Sequence, residues 1–248
     1  MSNLKKSTKR NVIIAVVVVL LCVVFAICYG FYAKGSADSS NSGKEAANTK
    51  YVDPDTYKQG RGFYVSADGV GVLKKGVPTL EIYMDFTCPH CINFEYKYGD
   101  EINKLVSKGE INVIYRPVNV LNQGYSKYVS SAMIDVLESK DKDKFPAFQA
   151  AVVKNIYNYL QTKDEKLSST DMIGTLAKSV GVSDDVVAKF ANKSNINYID
   201  KTIKMFTNRD IFSGEDIAVP AFVLNGKVMD YEKITTTKSL ESFIKDNK

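Results

Sequence analysis

Residues Thr79–Cys91 read TLEIYMDFTCPHC. The first eight, Thr79–Phe86, are rich in β-branched and aromatic residues, the composition of a buried strand. Pro89 suits the first turn of a helix, where a missing N–H is no loss, and an amphipathic stretch follows to about Val106. The tetrad Cys88-Pro89-His90-Cys91 is therefore predicted at a strand-to-helix junction, with Cys91 one helical turn beyond Cys88.

That placement carries chemistry. Thiolate is the reactive form of cysteine, and a helix N-terminus presents unpaired N–H groups and the positive end of a dipole to Cys88. His90 can add a hydrogen bond or partial positive charge. Stabilising the thiolate stabilises the reduced pair and makes its disulfide a better oxidant. The Cys88 thiolate is expected well below the free thiol value, with Cys88 the more exposed cysteine and Cys91 the more buried. Zinc normally takes four ligands, and His90 is the only histidine of the chain. Covalent haem attachment wants histidine where Ile92 stands, and an iron–sulfur cluster lacks ligands. No metal is expected, and no cofactor beyond a redox-active Cys88–Cys91 disulfide. A two-residue gap closes too small a loop to be a useful structural staple.

Outward from this junction, Phe63–Val65 and Val70–Leu73 flank Asp68-Gly69, a hairpin signal. Ile111–Tyr115 is a second core strand. Between Tyr125 and Phe212 the pattern is helical, with amphipathic segments at Ser130–Glu138, Phe145–Leu160, Thr170–Val180, Asp184–Ala191 and Tyr198–Asn208. Val219–Leu224, the turn Asn225-Gly226 and Lys227–Met229 form another hairpin, and Ser239–Asp246 closes with a helix. The order is a βαβ half, a helical block, then a ββα half. Val219-Pro220 stands at the head of a strand-like run, where proline would remove a ladder donor; read alone, it also suits an edge strand.

The N-terminal sequence has a different character. Asn11–Ala33 is uncharged and apolar, about long enough as a helix to cross a bilayer core. Lys5, Lys6, Lys9 and Arg10 precede it and orient the tip to the cytoplasm. The net charge is +5, from 33 basic and 28 acidic residues in 248. These four account for most of it: 29 basic and 28 acidic residues remain from Lys34 onward. The basicity speaks for membrane topology and gives no support to nucleic-acid binding. Cys22 and Cys28 read as small apolar residues of the span. A cleaved signal peptide, using Gly35-Ser36-Ala37, is the rival reading, although its apolar core would be shorter. Residues 34–56 begin with a Ser/Asn/Gly/Ala-rich stretch and form a tether reaching roughly 25–30 Å.

The motif TLEIYMDFTCPHC, the helical insertion and the later AVPAFVLNGK resemble the DsbA family of thiol–disulfide oxidoreductases, over roughly Phe63 to Phe243 and most nearly the membrane-tethered Gram-positive members. The resemblance implies an α/β thioredoxin fold (57–124 and 213–248) with an inserted helical domain (125–212), preceded by one transmembrane helix (11–33) and a cytoplasmic tip (1–10). It implies a cis Val219–Pro220 bond beside the disulfide, with the Val219 backbone free to pair with substrate. Valine before this proline resembles the oxidase branch. Relatives often bury an acid six residues before the first cysteine, where this chain has Ile82. Glu81 and Asp85 have the opposite strand parity, and each is a candidate for proton transfer with Cys91, or else an edge residue and a turn former.

The function so implied is a single-pass membrane protein with its catalytic domain outside the cytoplasm, passing disulfides to reduced secreted or cell-surface proteins and reoxidised by a membrane redox partner. A reductase or isomerase of the same fold, and a non-catalytic peptide-binding module, are the alternatives.

Overall fold

The computed structural model describes residues 62–209, 212 and 218–247. The expected anchor, tether, Cys22, Cys28 and the fold's predicted start near Tyr57 lie outside the described residues. No helix among the described residues is long and apolar enough to cross a membrane.

Six strands form one sheet. They are β1 Phe63–Ser66, β2 Gly69–Val70, β3 Thr79–Met84, β4 Asn112–Pro117, β5 Ala221–Leu224 and β6 Lys227–Val228, in the order β2-β1-β4-β3-β5-β6. β3 and β4 are parallel and the other pairs antiparallel. The crossover between β3 and β4 is helix α1, Pro89–Ser107. β3 lies between β4 and β5 with both faces covered, which is why it reads as a continuous apolar run rather than an alternation: Leu80, Ile82, Tyr83 and Met84 are all buried. The β5–β6 turn has Asn225 at φ 49 and Gly226 at φ 83, the two positive-φ positions of a type I′ hairpin that Asn-Gly fills readily.

The two faces of β3 build separate cores. Leu80, Ile82 and Met84 pack with Cys88, Cys91, Phe94 and Phe222. Tyr83 packs on the other face with Val118, Phe206 and Val223. β3 stops at Met84, two residues before the expected Phe86, because the chain turns there around the Asp85 side chain.

The helical insertion follows β4. It comprises α2 Gly124–Leu137, α3 Phe145–Thr162, α4 Thr170–Ser179, α5 Asp184–Val187 and α6 Ile196–Thr207. The expected helix Asp184–Ala191 divides into α5 and a 3-10 turn, Ala188–Asn192. One hydroxyl contact ties the insertion to the end of β3, and two more hold the insertion together internally. Ser126 Oγ accepts from Phe86 N–H at 3.2 Å. Ser131 Oγ accepts from Asn195 N–H at 3.3 Å, and Asp135 Oδ1 accepts from the Asn195 amide at 3.0 Å. Two helices end the chain, α7 Tyr231–Thr236 and α8 Leu240–Asn247. α7 is absent from the sequence reading, although Asp230 is a proper N-cap that accepts from Lys233 N–H at 3.0 Å.

Candidate active site

Asp85 builds the approach to the cysteines. Its Oδ1 accepts from Thr87 N–H at 2.8 Å and Thr87 Oγ1–H at 2.7 Å, and its Oδ2 from Leu121 N–H at 3.0 Å. This is the local side-chain-to-backbone bonding that makes aspartate a turn former. The turn delivers Cys88 to the N-cap of α1 in extended conformation, φ −80 and ψ 117, with Pro89 in the first turn. Its N–H donates to Asp85 O at 3.0 Å and its O accepts from Ile92 N–H at 3.1 Å.

The two thiols are unequal. Cys88 is 6% exposed and Cys91 is 0% exposed. Both are free thiols in this structure. The Cys88 pKa is lowered from 9.0 to about 6, first by the Cys91 thiol donating to its sulfur, and further by the backbone N–H groups of Cys91 and His90 and by the His90 charge, all against the penalty of burial. Cys91 is pushed well above 9.0, by burial first and then by its hydrogen bond to and repulsion from Cys88. Asp85 N–H donates to Cys91 Sγ at 3.4 Å. The result is one thiolate and one thiol poised as nucleophile and proton holder.

Val219 arrives from the far end of the chain. When protonated, the Cys88 thiol donates to Val219 O at 3.4 Å, and the Val219–Pro220 peptide bond is cis. Pro89 and His90 are exposed, Val219 half-buried and Pro220 buried. The structure thus brings Cys88, His90, Cys91 and Val219 together. It adds Tyr231, which sequence reasoning missed with α7: its hydroxyl lies 3.4 Å from His90 Nδ1, the rings meet edge to face at 6.5 Å, and its pKa is raised by burial and by the charges of Cys88 and Cys91.

The two candidate acids are placed differently. Glu81 shares the Tyr83 face of β3, away from the sulfurs. Its carboxylate is held by Arg116, by Arg209 Nη1 at 2.6 Å and by Tyr83 OH at 3.4 Å, and so neutralises two guanidinium groups on the face away from the sulfurs. Asp85 sits beside Cys91: its backbone N–H donates to Cys91 Sγ, and its carboxylate, whose oxygens are engaged in the turn, adds its charge to the rise in the Cys91 pKa. Among the described residues no group of three or more His, Cys, Asp or Glu side chains is arranged to hold a metal ion.

A thioredoxin family model matches residues 74–246. No curated protein matches the chain by sequence. Among solved structures, the chain is similar to MdbA, a thiol-disulfide oxidoreductase from Actinomyces oris, at 25% identity and TM-score 0.63, over 79% of this chain and 90% of that one. It is also similar in fold to MdbA from Corynebacterium diphtheriae, at 21% identity and TM-score 0.55, over 83% of this chain and 100% of that one. Reduced DsbA from Mycobacterium tuberculosis matches at 22% identity and TM-score 0.56, over 76% and 100%.

Proposed function

The chain belongs to the thioredoxin family, where it is a DsbA-like protein-disulfide oxidoreductase, and we propose that it works as a dithiol oxidase on proteins outside the cytoplasm. The observation that carries the direction is the support given to the Cys88 thiolate by the Cys91 thiol and the first N–H groups of α1. A stabilised thiolate stabilises the reduced pair, so the disulfide is prone to be given away.

In the forward reaction a substrate thiolate attacks Cys88 Sγ of the Cys88–Cys91 disulfide. The S–S bond breaks, and Cys91 leaves as a thiolate that takes up a proton. A second substrate thiolate then attacks the substrate sulfur of the mixed disulfide and expels Cys88 as its thiolate. The substrate loses two electrons and the pair gains them. The Val219 backbone, 3.4 Å from the Cys88 sulfur, suits an extended substrate segment laid alongside it, as in strand addition. Reoxidation needs a disulfide- or quinone-linked membrane partner, which matches the apolar segment 11–33 as an anchor and reduced secreted or cell-surface proteins as clients.

Equilibration of the full-length chain with glutathione tests the direction. An oxidase is expected at about −120 to −180 mV; a value near about −270 mV, the range of thioredoxin, would make the chain a reductase.

A further inference from the structure

Helix α7 is attached to α1 at both of its ends. At the C-terminal end the buried Tyr98 hydroxyl lies 2.9 Å from Thr235 O and 2.7 Å from Thr237 O, and the Lys97 ammonium donates to Thr235 O at 3.2 Å. These donors from α1 satisfy carbonyls that have no partner within so short a helix. At the N-terminal end Asp230 caps the helix, accepting from Lys233 N–H at 3.0 Å, and Tyr231 reaches the turn that carries the cysteines. The Tyr231 hydroxyl lies 3.4 Å from His90 Nδ1, and its ring meets the imidazole edge to face at 83°.

His90 needs such a neighbour. It is exposed, and its side-chain torsions can turn an unheld imidazole out into water. A charge that swings away from a sulfur, with water between them, interacts with it weakly. Yet the His90 charge is one of the supports of the Cys88 thiolate. Tyr231 can hold the ring in either protonation state, because a phenol both donates and accepts. It accepts from Nδ1–H of the imidazolium and donates to Nδ1 of the neutral ring. Its own pKa is raised above 10.0, by burial first and then by the charges of Cys88 and Cys91. The hydroxyl is therefore neutral where Cys88 titrates, and acts by direction rather than by charge.

We propose that Tyr231 is a positioning residue of the redox site: its hydroxyl, seated by the attachment of α7 to α1, holds the His90 imidazole where its charge reaches the Cys88 sulfur. Support then runs from Tyr98 through α7 to Tyr231, His90 and Cys88. Cys88 as nucleophile is taken from the reading above; the direction of disulfide exchange does not enter. The bond is long and Tyr231 is 42% exposed, so what reaches the sulfur is a fraction of one hydrogen bond. The expected effect is about twofold to threefold in the Cys88 thiolate equilibrium, or about 0.3–0.5 pH unit.

The test is a double-mutant cycle on the reduced full-length chain, with Tyr231→Phe, His90→Ala and the two combined, read as the thiolate absorbance of Cys88 against pH. Phenylalanine keeps the edge-to-face ring and removes only the hydroxyl. Tyr231→Phe is expected to raise the Cys88 midpoint by about 0.3–0.5 pH unit, less than His90→Ala does, and to add nothing in the His90→Ala background. The equilibrium of the pair with glutathione should move by the same factor of about two to three, toward a weaker oxidant. His90 is the only histidine of the chain, so its Nδ1 gives a single nitrogen resonance, which should shift in Tyr231→Phe. An unmoved midpoint or an unmoved Nδ1 resonance would leave Tyr231 a surface side chain. A midpoint rise of equal size in the His90→Ala background would make its effect independent of the imidazole. Any of the three overturns the proposal. A wild-type potential in the range of thioredoxin would instead remove the oxidase reading and leave this cycle standing.

Discussion

Cys88 Sγ lies 3.4 Å from the carbonyl oxygen of Val219, 131 residues further along the chain. The contact joins the βαβ half to the ββα half and puts the Val219 carbonyl beside the nucleophile. A mixed disulfide formed there is expected to rest against residue 219. In a Cys91→Ser chain, which cannot expel its client from within, disulfide-linked complexes should accumulate through Cys88, and non-reducing gels followed by peptide mapping would identify them. Equal trapping through position 91 in a Cys88→Ser chain would refute the assignment of roles.

The midpoint of the Cys88 thiolate, followed by its ultraviolet absorbance, is expected at about 6. Its largest support is the Cys91 thiol, ahead of the helix N-terminus or His90. Cys91→Ala should therefore raise the midpoint more than His90→Ala does. The reverse ranking would return the leading part to the imidazole.

The same asymmetry gives a pH signature of stability. A thiol whose folded pKa is depressed contributes stability that is full above its unfolded value of 9.0 and lost as pH falls through about 6. The disulfide form lacks this group. The urea midpoint of the reduced chain should thus climb relative to that of the oxidised chain as pH rises from about 6 to about 9. A gap that stays constant across that window would leave the oxidase reading without its physical basis.

How much of this was legible in the sequence follows from the range of the interactions. β3, α1 and the Asn225-Gly226 hairpin are written in local pattern and turn chemistry, so they stand where the residues predict them to within about two positions. The Cys-Pro-His-Cys junction is equally local. The pairing of Glu81 is not legible, because its partners Arg116 and Arg209 come from β4 and from beyond α6, and only the folded chain brings them to one carboxylate. α7 is six residues long, too short for a periodicity to register, although its Asp230 cap was a readable signal; Tyr231 was missed with it. That the Cys91 thiol outweighs the helix N-terminus in stabilising Cys88 depends on the placing of two sulfurs, which spacing alone does not supply. Glu95 reads in sequence as one polar position on an amphipathic helix. It becomes conspicuous only when α3 covers it.

Glu95 also makes the most direct stability prediction. Its carboxyl is fully buried and its pKa is raised from 4.5 to about 8, by burial above all, with the Tyr115 hydroxyl opposing. The folded chain therefore holds a proton between those two values that the unfolded chain has released. Stability rises with pH wherever the unfolded state binds more protons, and here it binds fewer, so this group makes the fold less stable as pH climbs from 4.5 to about 8. The loss is complete above about 8. Glutamine has the same shape, keeps an acceptor for the Gln149 amide, 3.5 Å from Glu95 Oε2, and never ionises. Glu95→Gln should accordingly be stabilising by about 2–4 kcal/mol at neutral pH and above, and close to neutral below about pH 4.5, where wild type carries the proton at no penalty. Denaturant unfolding of both chains, each locked in the oxidised form to remove the Cys88 contribution, measures the difference across pH. A variant less stable than wild type at pH 8 would mean that Glu95 is charged and paired in the fold, contrary to its Oε1, which has no hydrogen-bond partner among the described residues.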